Sequence, residues 1–197
     1  MTEAEWLNGT DPVVMLDFVR GKATDRQLRL FACACVRRIW NLLVDERSRE
    51  AIEVTEQFAD DRLLLSELLN ALEKAMLPNV QIQPQSSVSG VVPGIGLSGP
   101  ESLWTNRAPS GKPGERIHYA ILLRHIVGNP FRPYAAPGSW PVRLVKMAQA
   151  LYDGTGDRLV LADALDEAGH QELAQHFRAE EWHPKGCCVV DLVLGKE

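Results

Sequence analysis

The chain has 197 residues, 45% of them hydrophobic, which is enough to bury a core in one ordinary domain or two small ones. Its net charge of −5, with acids and bases mixed along the chain, excludes the global basic footprint of a protein that coats nucleic acid or a membrane surface. No apolar run reaches the roughly 20 residues that cross a bilayer, so no membrane association is expected.

The opening residues MTEAEWL carry no basic region followed by an apolar run and a small-residue cleavage site, and a cytoplasmic location is expected. From residue 10 the pattern is helical. Thr10, Asp11 and Pro12 supply a capping side chain and a proline suited to a first turn, and Met15, Leu16, Phe18 and Val19 carry a short helix to Gly21. A second helix is predicted over 25–44, where Leu28, Phe31, Ala32, Cys35, Ile39 and Leu42 recur at three- and four-residue spacing and define a core face. Further helices are predicted over 45–60 and 63–77, the latter rich in Leu, Ala, Glu and Lys.

Between 78 and 114 the composition shifts to Pro, Gly, Ser and Gln, and Pro84, Pro93, Pro100, Pro109 and Pro113 prevent a long regular element. This stretch reads as a linker or loop, with 88–97 apolar enough to pack or to form a short strand. Its GIGLSG run has neither a strand before it nor a helix after it, so it is not a phosphate loop.

Helical pattern returns over 115–127 and stops at Gly128-Asn129-Pro130. An aromatic and proline-rich connection through Phe131, Tyr134 and Trp140 leads to helices predicted over 141–152, 157–168 and 171–181, the second closed by Gly169. The tail 184–194 is two-sided: Val189, Val190 and Val193 favour a strand, while Pro184 near a start and Gly195 just past an end favour a helix, which is the reading adopted. The expectation is an all-α, bundle-like domain in which an N-terminal part, 1–77, packs with a C-terminal part, 115–197, across the Pro/Gly-rich middle.

The segments DPVVMLDF (11–18), DRQLRLFACAC (25–35), RRIW (37–40), GNPFRP (128–133), LADALDEAG (161–169) and LGKE (194–197) resemble a large paralogous family of planctomycete proteins. Residues 157–169 are similar, more weakly, to the short repeat-companion motif of the same bacteria. The resemblance implies a bacterial origin and no particular reaction. The family pattern carries a third cysteine where Val36 stands, a cysteine near His170, a tryptophan where Cys188 stands and an alanine-rich middle helix. This chain departs at all four places, which counts against a cysteine-based metal site shared with that family.

Four cysteines, Cys33, Cys35, Cys187 and Cys188, read as reduced thiols in a cytosolic setting, as packed apolar groups first, a metal site second and a redox pair third. Cys33 has Arg29 and Arg37 one helical turn to either side, and positive neighbours favour the reactive thiolate. The competing reading buries it, because Leu30 and Trp40 make the helix apolar nearly all round. For a metal, Cys33 and Cys35 point apart on a helix and Cys187 and Cys188 are adjacent. His183-x₃-Cys187 is the compatible pair, with Cys188, His170 and His176 as further candidates, and on spacing alone no bound cofactor is expected.

Arg20, Lys22, Arg26, Arg29, Arg37 and Arg38 concentrate positive charge that could meet phosphates, although no recognition helix or aromatic-interleaved strand accompanies them. Asp153 and Asp157 flank glycines as a fragment of a calcium loop, better read as a turn capped by Asp157. Asp163, Asp166 and Glu167 read as a solvated helix side. With no convergent nucleophile, base and orienting group in view, the leading expectation is a non-enzymatic interaction or regulatory module with a protein partner. Thiol or metal chemistry and nucleic-acid contact are the alternatives.

Overall fold

The capping and periodicity signals above materialise as helices throughout the computed structural model, which describes residues 1–76 and 113–196. Ten α-helices and no strand occur among the described residues, so the chain is all-α, and no helix there is long and apolar enough to cross a membrane. The loop expected over 78–114 lies outside the described residues except for its last two, Pro113 and Gly114, which open a helix instead.

The chain forms two compact units, Met1–Arg124 and His125–Glu197. The division therefore falls inside a helix, Pro113–Val127, rather than ahead of it.

Unit 1 begins with a helix that the periodicity reading did not anticipate, α1 (Glu3–Asn8), held by a capping box in which Thr2 and Glu5 satisfy each other's backbone N–H groups. α2 (Pro12–Val19) starts as expected, with the Asp11 carboxylate accepting from Val13 N. α3 (Asp25–Arg37) opens with a second reciprocal cap, Thr24 with Gln27, and buries Leu28 and every residue from Leu30 to Val36. The expected continuation to residue 44 fails at Arg37. There Ile39 N bonds to Val36 O and Leu42 N to Ile39 O, the tighter i→i+3 pattern of a 3₁₀ turn, Trp40–Leu42, before Asp45 caps a new helix.

That helix, α4 (Glu46–Ala59), and α5 (Leu65–Met76) pack with α3 around Ala32, Cys33, Val36, Leu43, Ala51, Ile52, Leu68 and Leu72. Two ion pairs tie α3 to α4 and its C-terminus. The Arg37 guanidinium donates to both Glu56 oxygens at 2.8 Å, and Arg26 pairs with Asp60 at 3.0 Å. α6 (Pro113–Val127) buries Ala120, Leu122 and Leu123, and its Arg124 donates to the carbonyls of Trp6 at 3.1 Å and Gly9 at 2.8 Å. Arg116 of the same helix meets Asp11 at 2.6 Å, which is why most of α6 belongs with unit 1.

Unit 2 contains α7 (Val142–Tyr152), α8 (Arg158–Glu167), α9 (Gln171–Ala179) and α10 (Cys188–Leu194). Their shared core includes Leu144, Ala148, Leu161, Leu165, Leu173, Phe177, Cys187, Val189 and Val193. The α7–α8 turn is so close that a Cβ on Gly156 would stand 2.5 Å from Leu151 N, a position only glycine can occupy. Asp157 caps α8, accepting from Leu159 N at 2.7 Å, and Gln149 donates to Asp153, so both carboxylates of the calcium-loop fragment have helix-local partners. Arg178 of α9 pairs with Asp163 at 2.8 Å and with Asp166 of α8, while Arg158 donates to Phe177 O at 2.6 Å. The tail resolves as helix: Val189, Val190 and Val193 face inward, and Gly195 ends α10 in the left-handed region at φ 65.

Candidate metal centre

Four side chains of unit 2 converge: His125, His176, His183 and Cys187 each offer one donor atom, and these four atoms lie within 4.8 Å of one another. Each arrives from a different local feature. His125 is carried by the last turn of α6 and His176 by the last turn of α9. His183 lies in the connection after α9, and Cys187 is the N-cap residue just before α10. A turn over 184–187, closed by Cys187 N donating to Pro184 O at 3.1 Å with Gly186 at φ 83, brings the two members of the His-x₃-Cys pair to the same side.

His176 Nε2 is 3.2 Å and His183 Nδ1 3.7 Å from Cys187 Sγ. The three imidazole centroids are 5.0, 5.6 and 5.1 Å apart. Zinc–sulfur and zinc–nitrogen bonds of about 2.3 and 2.0–2.1 Å at the tetrahedral angle put S and N about 3.6 Å apart, so the two measured separations bracket that edge. Cys187 is fully buried and His125 is 5% exposed.

One atom is out of place in an ordinary core. His125 Nδ1 is buried with no hydrogen-bond partner, although such groups are nearly always satisfied. The sulfur is equally unlike a packed thiol. Burial works against its thiolate, but the Cys188 thiol and the imidazoles of His125, His176 and His183 converge on it and hold its pKa well below the ordinary value. Cys187 is buried, so the 3.2 Å Cys–His contact lies beneath the surface of the unit.

Of the residues singled out in the sequence, His176, His183 and Cys187 come together. His125, which no spacing rule pointed to, completes the group. Cys188 does not join it: its thiol packs toward Gly128 and is pushed far up by hydrogen bonding to Cys187 and by burial. His170 lies instead on the Trp140 ring, at 4.8 Å between centroids.

Cys33 matches the buried reading and not the accessible one. It is 1% exposed within the α3–α4–α5 core, and burial together with Glu56 raises its pKa well above the thiol norm despite Arg37 and Arg29. Cys35 is likewise buried and shifted up by desolvation. The basic segment is largely met by its own unit. Arg20 pairs with Asp17 at 2.6 Å, Arg26 with Asp60 and Arg37 with Glu56. Lys22 lies over the Phe18 ring at 3.5 Å, Arg29 stands 5.3 Å from Phe58, and Arg38 is exposed at the end of α3.

Compared with protein-family models, with curated proteins and with solved structures, the chain matches none.

Proposed function

We propose that this chain is a zinc-binding helical module in which His125, His176, His183 and Cys187 hold one ion that locks the C-terminal unit. The observation that carries this reading is the orphaned His125 Nδ1, buried in a group of one thiol and three imidazoles whose donor atoms lie within 4.8 Å of one another, two of them 3.2 and 3.7 Å from the sulfur. One thiolate with three imidazoles suits zinc, which accepts mixed sulfur and nitrogen ligands and has no d-electron preference to violate. Four protein donors leave no coordination position for water or substrate, which favours a fold-stabilising ion over a hydrolytic one. That role agrees with the non-enzymatic interaction or regulatory module expected from the sequence, since a rigid unit is what a docking protein needs.

The ion would fasten together the end of α6, the end of α9 and the 180–187 connection. Binding to the native state alone stabilises it by RT ln(1 + [L]/Kd), about 4 kcal/mol at free zinc 1,000 times Kd. Thermal melts followed by circular dichroism on chelator-treated protein, with and without added zinc, measure this. A rise in Tm on zinc addition, reversed by EDTA, is the expected result. Identical melts in the two conditions would remove the reading.

A further inference from the structure

Building on the zinc reading, we infer that Glu180 is the positioning residue of the centre, its main-chain oxygen fixing the orientation and tautomer of His183 and its carboxylate biasing those of His125 by charge. Glu180 terminates α9 with extended backbone, φ −121 and ψ 136, one turn after His176 and three residues before His183. Its carbonyl faces the His183 ring and accepts from Nε2 at 3.1 Å. A proton on His183 Nε2 leaves Nδ1, the atom 3.7 Å from Cys187 Sγ, with a free lone pair.

The Glu180 side chain stands near a second ring, at ion-pair distance rather than hydrogen-bond distance. Its Oε2 lies 3.8 Å from His125 Nε2, so a negative charge faces that nitrogen and favours the proton there, with the unpartnered Nδ1 as the donor to the ion. His176 then binds through Nε2, the nitrogen 3.2 Å from the sulfur. One residue thus orients His183 by a hydrogen bond, sets a carboxylate beside His125 and ends the helix that carries His176. A divalent ion with one thiolate and three neutral imidazoles retains positive charge, which the adjacent carboxylate offsets while making the His125 ring a better donor.

Outer partners of this kind are worth 10–100-fold in metal affinity. Full-length Glu180→Ala, Glu180→Gln and wild type are to be titrated with Co(II), read by its visible absorption, and with zinc in competition with a chelating dye. Glu180→Ala is expected to bind both ions about 10–100-fold more weakly and to shift the Co(II) bands. Glu180→Gln, which keeps an acceptor at the same reach, recovers part of that loss. The metal-free Tm values of all three are expected to coincide, because the Glu180 side chain is 47% exposed. Unchanged affinity and spectrum in Glu180→Ala, beside a wild type that binds, overturn the role of Glu180 and leave the zinc reading standing. No binding by wild type overturns both. A loss matched by an equal fall in metal-free Tm and unrelieved by Glu180→Gln belongs to folding and overturns the inference.

Discussion

Cys187→Ser is expected to lower zinc affinity by more than about 100-fold, the upper value for merely losing an outer partner of a ligand. A serine hydroxyl does not ionise near neutral pH, so the substitution removes the only charged donor of the group while changing one buried atom. Cys187 lies in the core beside Leu173, Phe177 and Val190, and the near-equal volume of serine keeps that packing. Far-UV circular dichroism of the metal-free variant should therefore overlay the wild type. Zinc competition against a chelating dye separates the cases: a Cys187→Ser protein that holds zinc as tightly as wild type would show that the sulfur is not a ligand.

Arg37→Met is expected to destabilise unit 1 by about 3 kcal/mol, measured by urea unfolding, because it takes both guanidinium bonds from a buried carboxylate. The Glu56 side chain is 4% exposed and receives two guanidinium bonds, and it is this carboxylate that raises the Arg37 pKa. The substitution also removes the guanidinium carbon that lies 4.1 Å from the Trp40 ring centroid, a stacking loss that the double variant shares and so separates from the charge. Replacing both partners, Arg37→Met with Glu56→Met, is expected to return stability to within about 1 kcal/mol of wild type, since a buried pair offers little over matched apolar groups. A double variant no more stable than the single one would assign the effect to shape.

The helices with strong ends are legible in the sequence: Thr24 before α3, Asp157 before α8, Gly128 and Gly169 as stops. α1 carries a visible signal too, Thr2 with Glu5 three residues on, but its six residues are too short for a periodicity to declare itself. The break after Arg37 has no such mark. Ile39, Trp40 and Leu42 continue the apolar spacing of α3, and only the need to enter α4 at Asp45 turns the chain.

The centre is half legible for a similar reason. His183-x₃-Cys187 is a local spacing that a turn can close, and it identifies one edge of the group. His125 sits among Leu123 and Ile126 in an apolar helical run, where a histidine reads as one more core residue, and only the packing of the unit brings it to the sulfur. Which of two adjacent cysteines faces the imidazoles depends on where α10 begins, a boundary that propensity does not fix to one residue.

The most direct measurement is native mass spectrometry of the full chain, purified without chelator, recorded before and after denaturation. A native species heavier by one zinc ion per chain is expected, with the excess mass lost on denaturation and absent from Cys187→Ser. A native wild-type mass equal to that of the bare polypeptide, unchanged after incubation with zinc, would contradict the zinc reading.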